Sequence, residues 1–422
     1  MSLVSERSVR RALVLLTVVS TLAGVHSRAA DPRPTMPSEI SRPAFDLERW
    51  NRPPETFPAE ELTADGVRSL FYEGEPYRGK PTRVFAWWGL PKIEGKKKVP
   101  AMVLIHGGGG TAFDRWVRVW TERGYAAIAM DLCGCVPVGT YGNWQRQENG
   151  GPPGWDASFA TIDDPQVDQW QYHALGAIVR GHSLLRSFPE VDPERIGVTG
   201  ISWGGYLTCL TAGVDHRFKF AAPVYGCGFL GENSAWLPRF EQLGPEKSAR
   251  WLKLWDPAEF LPQAKMPILW VNGTNDFAYP MDSWQKSYRL AKGERTLCLR
   301  VRMPHGHGPA GENPEEIRAI ADAMFRDGVP LARVQEQGRD GAEVWVTCRS
   351  RAPIVKAELN YTTDVGKWQD RKWESIRAVV DSSAARVTAT LPKDVAVYYL
   401  NLFDDRDRAV SSEHVVLRDD TN

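Results

Sequence analysis

Gly200-Ile201-Ser202-Trp203-Gly204 sets a serine between two glycines. A strand-like run, Arg195 to Thr199, precedes it and Gly205-Tyr206-Leu207-Thr208 follows. A serine hydroxyl attacks a carbonyl carbon when it projects from the backbone and a base takes its proton. A sharp strand-to-helix turn gives that projection, and glycines fit where the turn crowds the chain. The following helix then aims its first N–H groups at developing negative charge, so the Trp203 N–H is one expected oxyanion donor. Glycine-rich turns with a serine also serve as plain connections, so the chemistry requires partners elsewhere.

The acid candidate is Asp276, which ends the apolar run Pro267 to Val271 at a Gly/Asn loop. An acid at the C-terminal end of such a strand lies on the face where parallel sheets place their sites. The next apolar run, Leu297 to Met303, breaks at Pro304-His305-Gly306-His307-Gly308. Ser202, Asp276 and a histidine therefore occur in the order that this type of triad requires. His305, nearer the strand end, and His307, flanked by glycines on both sides, are the two candidate bases. A His-x-His pair also binds metal, but no third ligand of the right kind is near, so no metal site and no cofactor are expected. Upstream, the apolar run Val99 to Ile105 enters His106-Gly107-Gly108-Gly109-Gly110. Backbone donors of Gly107 and Gly108 are expected to complete the oxyanion hole, while His106 braces its own loop.

With those four loops in place, the chain resembles a secreted bacterial α/β-hydrolase of the acetylxylan esterase and dienelactone hydrolase type, related to prolyl oligopeptidase catalytic domains. The likeness is carried by His106–Gly110, Gly200–Gly205, Leu269–Pro280 and Met303–Gly308, within residues 99 to 329. It implies a mostly parallel, doubly wound α/β sheet and a Ser-His-Asp serine carboxylesterase acting on esterified polysaccharide such as acetylxylan. Members often carry the base in a Gly-His-Gly loop, so the resemblance makes His307 the preferred base and His305 its rival. A serine peptidase of the prolyl oligopeptidase type would use the same triad. A non-catalytic carbohydrate-binding protein on this scaffold is a further alternative.

The elements that must position these residues are also legible. Residues 1–30 read as a signal peptide: Arg7, Arg10 and Arg11, then an apolar run, then small residues. That pattern implies a secreted or periplasmic protein. Residues 31–60 are proline-rich and read as an extended surface arm. Residues 61–330 read as the catalytic domain, with residues 226–265 an insertion forming a partial lid. Beyond 335 the pattern alternates with period two over short runs, as in an antiparallel β-sandwich of immunoglobulin or fibronectin type. Lysine plus arginine equals aspartate plus glutamate, 52 against 52. That balance leaves no basic field to attract nucleic acid. Seventeen tryptophans supply flat apolar faces of the kind that stack on sugar rings. Trp144 and Trp155 in the long loop after residue 134, and Trp236 in the insertion, are the candidates to line a substrate pocket. The six cysteines include Cys133, Cys135 and Cys227, whose loops are placed so as to allow a disulfide.

Overall fold

A computed structural model describes residues 44–93, 95 and 97–418, with only the backbone described at Trp155, Asp156 and Ala157. The expected signal peptide lies outside the described residues. Among those described, no helix is long and apolar enough to cross a membrane.

The chain builds a nine-stranded sheet. Strands β1 (Thr56–Pro58), β2 (Arg68–Glu73), β3 (Arg83–Gly89), β4 (Val99–Ile105) and β5 (Ala126–Met130) are followed by a small hairpin, β6 (Cys135–Thr140) and β7 (Asn143–Arg146). The sheet then takes up β8 (Val191–Ile201), β9 (Phe220–Val224), β10 (Ile268–Gly273) and β11 (Arg295–Arg300), in the order β1-β2-β3-β5-β4-β8-β9-β10-β11. Strands β1 to β3 pair antiparallel and join β5 antiparallel, while β5, β4 and β8 to β11 run parallel. The parallel strands are buried on both faces, which is why they read as continuous apolar runs: every residue of β5, β9 and β10 is buried.

Residues 31–43 of the expected arm lie outside the described residues, and residues 44–60 are not simply an arm over the surface. Trp50 is fully buried against Tyr172 and Phe45, and β1 pairs with β2. The buried indole, the β1–β2 pairing and the Arg49 ion pairs with Glu73 and Glu75 tie this stretch to the fold. The helix Trp170–Ser187 is buried on nearly every side, as a helix under a covering layer must be. Its Arg180 is paired with Glu73 and Glu75.

Two further sheets follow. One has the order β12 (Arg333–Asp340), β13 (Glu343–Arg349), β17 (Arg386–Thr390) and β16 (Val379–Asp381). The other runs β15 (Glu374–Arg377), β14 (Ile354–Thr362), β18 (Val397–Asp404) and β19 (Ala409–Ser411), with β20 (Val415–Val416) also on β18. All their pairings are antiparallel. They face each other across Val344, Val346, Leu359, Val387, Leu400 and Leu402, forming a β-sandwich. This sandwich caps the open edge of the large sheet: Ser411 Oγ accepts the Leu299 N–H at 2.8 Å, and Asn401 Nδ2 donates to Leu299 O at 3.1 Å. An uncovered β11 would be an edge open to foreign strands. Trp368 and Trp373 are buried, against His414 and Tyr399 respectively, so they pack inside rather than present a sugar-stacking face.

Candidate active site

Ser202 follows directly on β8 and caps the helix Trp203–Val214. Its φ is +58°, a conformation rarely adopted outside glycine. The Ser202 N–H bonds Val224 O at 2.9 Å and the Ser202 carbonyl accepts from Tyr206 N at 2.8 Å. These contacts hold the strained residue at a point where strain of this kind clusters with function. A Cβ on Gly204 would lie 2.0 Å from the Ile105 carbonyl oxygen, which explains the glycine two residues after the serine.

Asp276 follows β10, and its side chain is fully buried. Its Oδ1 accepts the N–H groups of Ala278 at 2.9 Å and Tyr279 at 2.7 Å, so the loop backbone itself orients the carboxylate. Its Oδ2 receives His305 Nδ1 at 2.7 Å, and His305 Nε2 lies 2.9 Å from Ser202 Oγ. The His305 ring stacks on Tyr225 with centroids 4.6 Å apart and leans on Phe277 at 4.8 Å. Tyr225 also donates its hydroxyl to Pro304 O at 2.7 Å, fixing the loop just before the histidine.

The preferred base, His307, is not in this line. Its Nε2 accepts the Gly107 N–H at 2.9 Å, and its Nδ1 lies 3.1 Å from Glu312 Oε1. The reason is positional. Residue 305 emerges from β11 beside the β10 loop that carries Asp276, whereas residue 307 has turned toward the loop after β4. There Glu312, held by Arg115 through two hydrogen bonds, captures it. Burial holds the His307 imidazole below its usual pKa, so the ring is neutral.

The same contact bears on the expected oxyanion hole. The Gly107 N–H is engaged by His307, and Trp203 is the first residue of the helix after Ser202. His106 does brace its own loop: Nδ1 bonds Gly107 O at 2.8 Å and Nε2 accepts the Leu132 N–H at 3.0 Å. Burial lowers its pKa to about 4. The hairpin β6–β7 closes over the glycines. Tyr141 Oη donates to Gly108 O at 2.7 Å, Trp144 Nε1 to Gly109 O at 2.8 Å, and Gly142 N to Gly109 O at 2.8 Å.

A cavity of about 740 Å³ opens beside Ser202, its apolar lining formed by Phe159, Trp203, Trp236, Leu243 and Phe277. Trp236 lines it, its ring 4.7 Å from Trp203 and 4.9 Å from Tyr279. Trp144 does not: its indole N–H is spent on Gly109 and its ring packs on Phe113. Trp155 lies in the helix Gly154–Ala160, but its side chain is outside the described residues. The insertion contributes the helix Leu237–Trp255, which is broken at Gly244 (φ +77°) and Pro245. Trp236 precedes that helix, and its Phe240, Trp251 and Trp255 are buried. Phe159, Phe277 and Glu312 escaped the sequence reading. Phe277 alone carried a signal, as an aromatic residue directly after the acid in an otherwise polar loop. Cys227 carries a free thiol, so neither Cys133 nor Cys135 is bridged to it.

Residues 57–234 match the acetyl xylan esterase (AXE1) family model, and residues 168–324 match that of the prolyl oligopeptidase family. In fold, the chain is similar to the acetyl xylan esterase from Paenibacillus sp. R4, with a TM-score of 0.53 and 20% identity over 67% of this chain and 96% of that one. The chain has the α/β-hydrolase fold. In sequence, this α/β-hydrolase chain is 26% identical over 263 residues to the uncharacterized peptidase YuxL of Bacillus subtilis, covering 56% of this chain and 36% of that protein. It is 25% identical over 210 residues to the acetyl esterase Axe7A of Xylanibacter ruminicola, covering 47% and 46%. The chain thus spans less than half the length of either relative.

Proposed function

We propose that this α/β-hydrolase is a serine carboxylesterase, exported and acting on acetylated polysaccharide, with Ser202 as nucleophile, His305 as base and Asp276 as its orienting acid. The observation that carries the reading is the continuous pair of hydrogen bonds from Asp276 through His305 to Ser202, at 2.7 and 2.9 Å. With Nδ1–H donating to the carboxylate, His305 presents an unprotonated Nε2 to the hydroxyl. As Ser202 Oγ attacks the ester carbonyl, its proton passes to Nε2 and Asp276 stabilises the imidazolium. The N–H groups of Gly108 and Trp203 receive the oxyanion. The leaving alcohol takes the proton from Nε2, and water, activated by the same histidine, releases the acid. The matches to acetyl xylan esterases and the aromatic cavity support the substrate class.

The test is hydrolysis of short-chain p-nitrophenyl esters beside acetate release from acetylated xylan, for wild type and Ser202→Ala. Activity on both, lost in the variant, is the expected result. Full activity in the variant would refute the nucleophile. The prolyl oligopeptidase match favours a second reading, a serine peptidase with the same triad. Faster cleavage of proline-nitroanilide peptides than of acetyl esters would put that reading first.

A further inference from the structure

Two histidines grip the glycine loop after β4 from opposite sides. His106 Nε2 accepts the Leu132 N–H, so its proton is on Nδ1, where it donates to Gly107 O. His307 Nε2 accepts the Gly107 N–H, so its proton is on Nδ1, facing Glu312. Gly107 therefore has both its backbone polar groups tied to imidazoles. Its carbonyl is held again by Gly110 N at 3.1 Å.

A peptide unit is planar and trans, so its N–H points opposite to its C=O. Fixing the Gly107 carbonyl fixes the direction of the Gly108 N–H, and fixing the Gly107 N–H fixes the peptide before it. This backbone is pressed against the nucleophile turn: a Cβ on Gly107 would lie 2.6 Å from Ile201 O and 3.1 Å from Ser202 Cβ. Glycine has the widest backbone freedom of any residue, and four occur in a row here. Without external ties, such a loop has many conformations of similar energy. The ties are themselves braced. Arg115 Nη2 and Nε reach the Glu312 carboxylate at 2.6 and 3.1 Å, Trp116 Nε1 donates to Glu312 O at 2.8 Å, and Phe113 packs on the His307 ring at 4.6 Å.

We propose that His307 is a positioning residue for the oxyanion hole. Through Nε2 it holds the Gly107 N–H and so the peptide before it. With the Glu312–Arg115 pair behind it, it sets where the Gly107–Gly108 peptide starts beside the Ser202 turn, while His106 and Gly110 set that peptide's direction. The neutral ring is required, because a second proton on Nε2 would face the Gly107 N–H donor to donor. The effect on turnover rests on the esterase reading above; the hold on the loop does not.

The test therefore has two arms, on wild type, His307→Ala and His307→Gln. Gln carries an acceptor oxygen at about the reach of Nε2. The first arm is hydrogen exchange at the Gly107 amide, which is expected to be slow in wild type, fast in His307→Ala and slow again in His307→Gln. The second arm is p-nitrophenyl acetate turnover. Here kcat should fall about 10²-fold in His307→Ala, the scale of losing an oxyanion donor. KM should change less than about threefold, and His307→Gln should recover most of kcat. An unprotected Gly107 amide in wild type, or an active wild type whose kcat survives His307→Ala, overturns the inference. So does a folded His307→Gln as impaired as His307→Ala. The expected exchange pattern in a protein inactive on every ester would instead leave the hold standing and remove the esterase reading. Should His307→Ala not fold, Glu312→Ala is read in its place: a kcat loss of at least tenfold supports the inference and unchanged kcat overturns it.

Discussion

Asn275 donates its side-chain amide to the carbonyl of Arg371 at 2.8 Å, and also to Gln369 O at 3.0 Å. The first residue sits beside Asp276, and the second belongs to the turn between β14 and β15 of the sandwich. The C-terminal sheets thus hold the very loop that presents the carboxylate to His305. Replacing Asn275 by Ala removes two hydrogen bonds to backbone carbonyls, each worth about 1 kcal/mol. We expect a loss of about 1–2 kcal/mol in urea unfolding and a several-fold fall in kcat, with KM little changed. Unfolding in two separate transitions, with the sandwich melting independently, would argue against this coupling.

The assignment of the base separates two histidines only two residues apart. His305→Ala should reduce kcat by roughly 10⁵–10⁶-fold, as loss of a triad histidine does, and His307→Ala by about 10²-fold. Asp276→Asn keeps the shape but offers His305 Nδ1 a poorer partner, and about 10⁴-fold is expected. Steady-state kinetics on one ester, with folding checked by circular dichroism, decides. Equal losses at 305 and 307 would contradict the separation of roles.

The order of serine, acid and histidine, and the loops that carry them, were legible because each chemical residue ends a buried apolar run. Parallel strands buried on both faces write that pattern plainly. The choice between His305 and His307 was not legible, since both flank Gly306 at a strand end. What decides is the lateral neighbour: β10 lies beside β11, and Glu312, five residues on, draws His307 away. Trp144 misled for a related reason. An indole in a loop near the site reads as a pocket wall, but its N–H has a carbonyl to satisfy, and that carbonyl belongs to Gly109. Trp50 shows the same limit from the other side, a core residue inside a segment whose composition reads as surface.

Phe277 is the exposed ring of the site, at 56% relative exposure, and it flanks both the cavity and His305. In the proposed reaction the leaving alcohol takes its proton from His305, which would place it on this side. Stacking on one aromatic face is worth about 0.5–1.5 kcal/mol. Phe277→Ala is therefore expected to raise KM about two- to tenfold for acetyl esters of ring-bearing alcohols, sugars included, and to leave that for methyl acetate unchanged. An equal effect on both substrates would place the ring in loop structure rather than in recognition.

The dependence of stability on pH follows from groups outside the triad. Burial pushes His106 and His173 down to about 4 and His414 down to about 3. In the unfolded chain each titrates near 6.5. Between pH ~6 and ~4 the unfolded chain therefore binds three protons that the native chain refuses, and stability falls as pH drops. Asp131 and Asp256 act oppositely. Burial raises both to about 6, against about 3.9 unfolded. In the same window the native chain holds two protons that the unfolded chain lacks. Three against two leaves the histidines ahead by about one proton, or about 1.4 kcal/mol lost per pH unit. His307 and His182, also held down by burial, add to that side. Urea midpoints measured at pH 7, 6 and 5 should fall steadily. Asp131→Asn removes one opposing proton, and the decline should steepen by roughly a further 1.4 kcal/mol per unit. A midpoint that rises toward pH 5 would mean that the buried carboxylates outweigh the histidines.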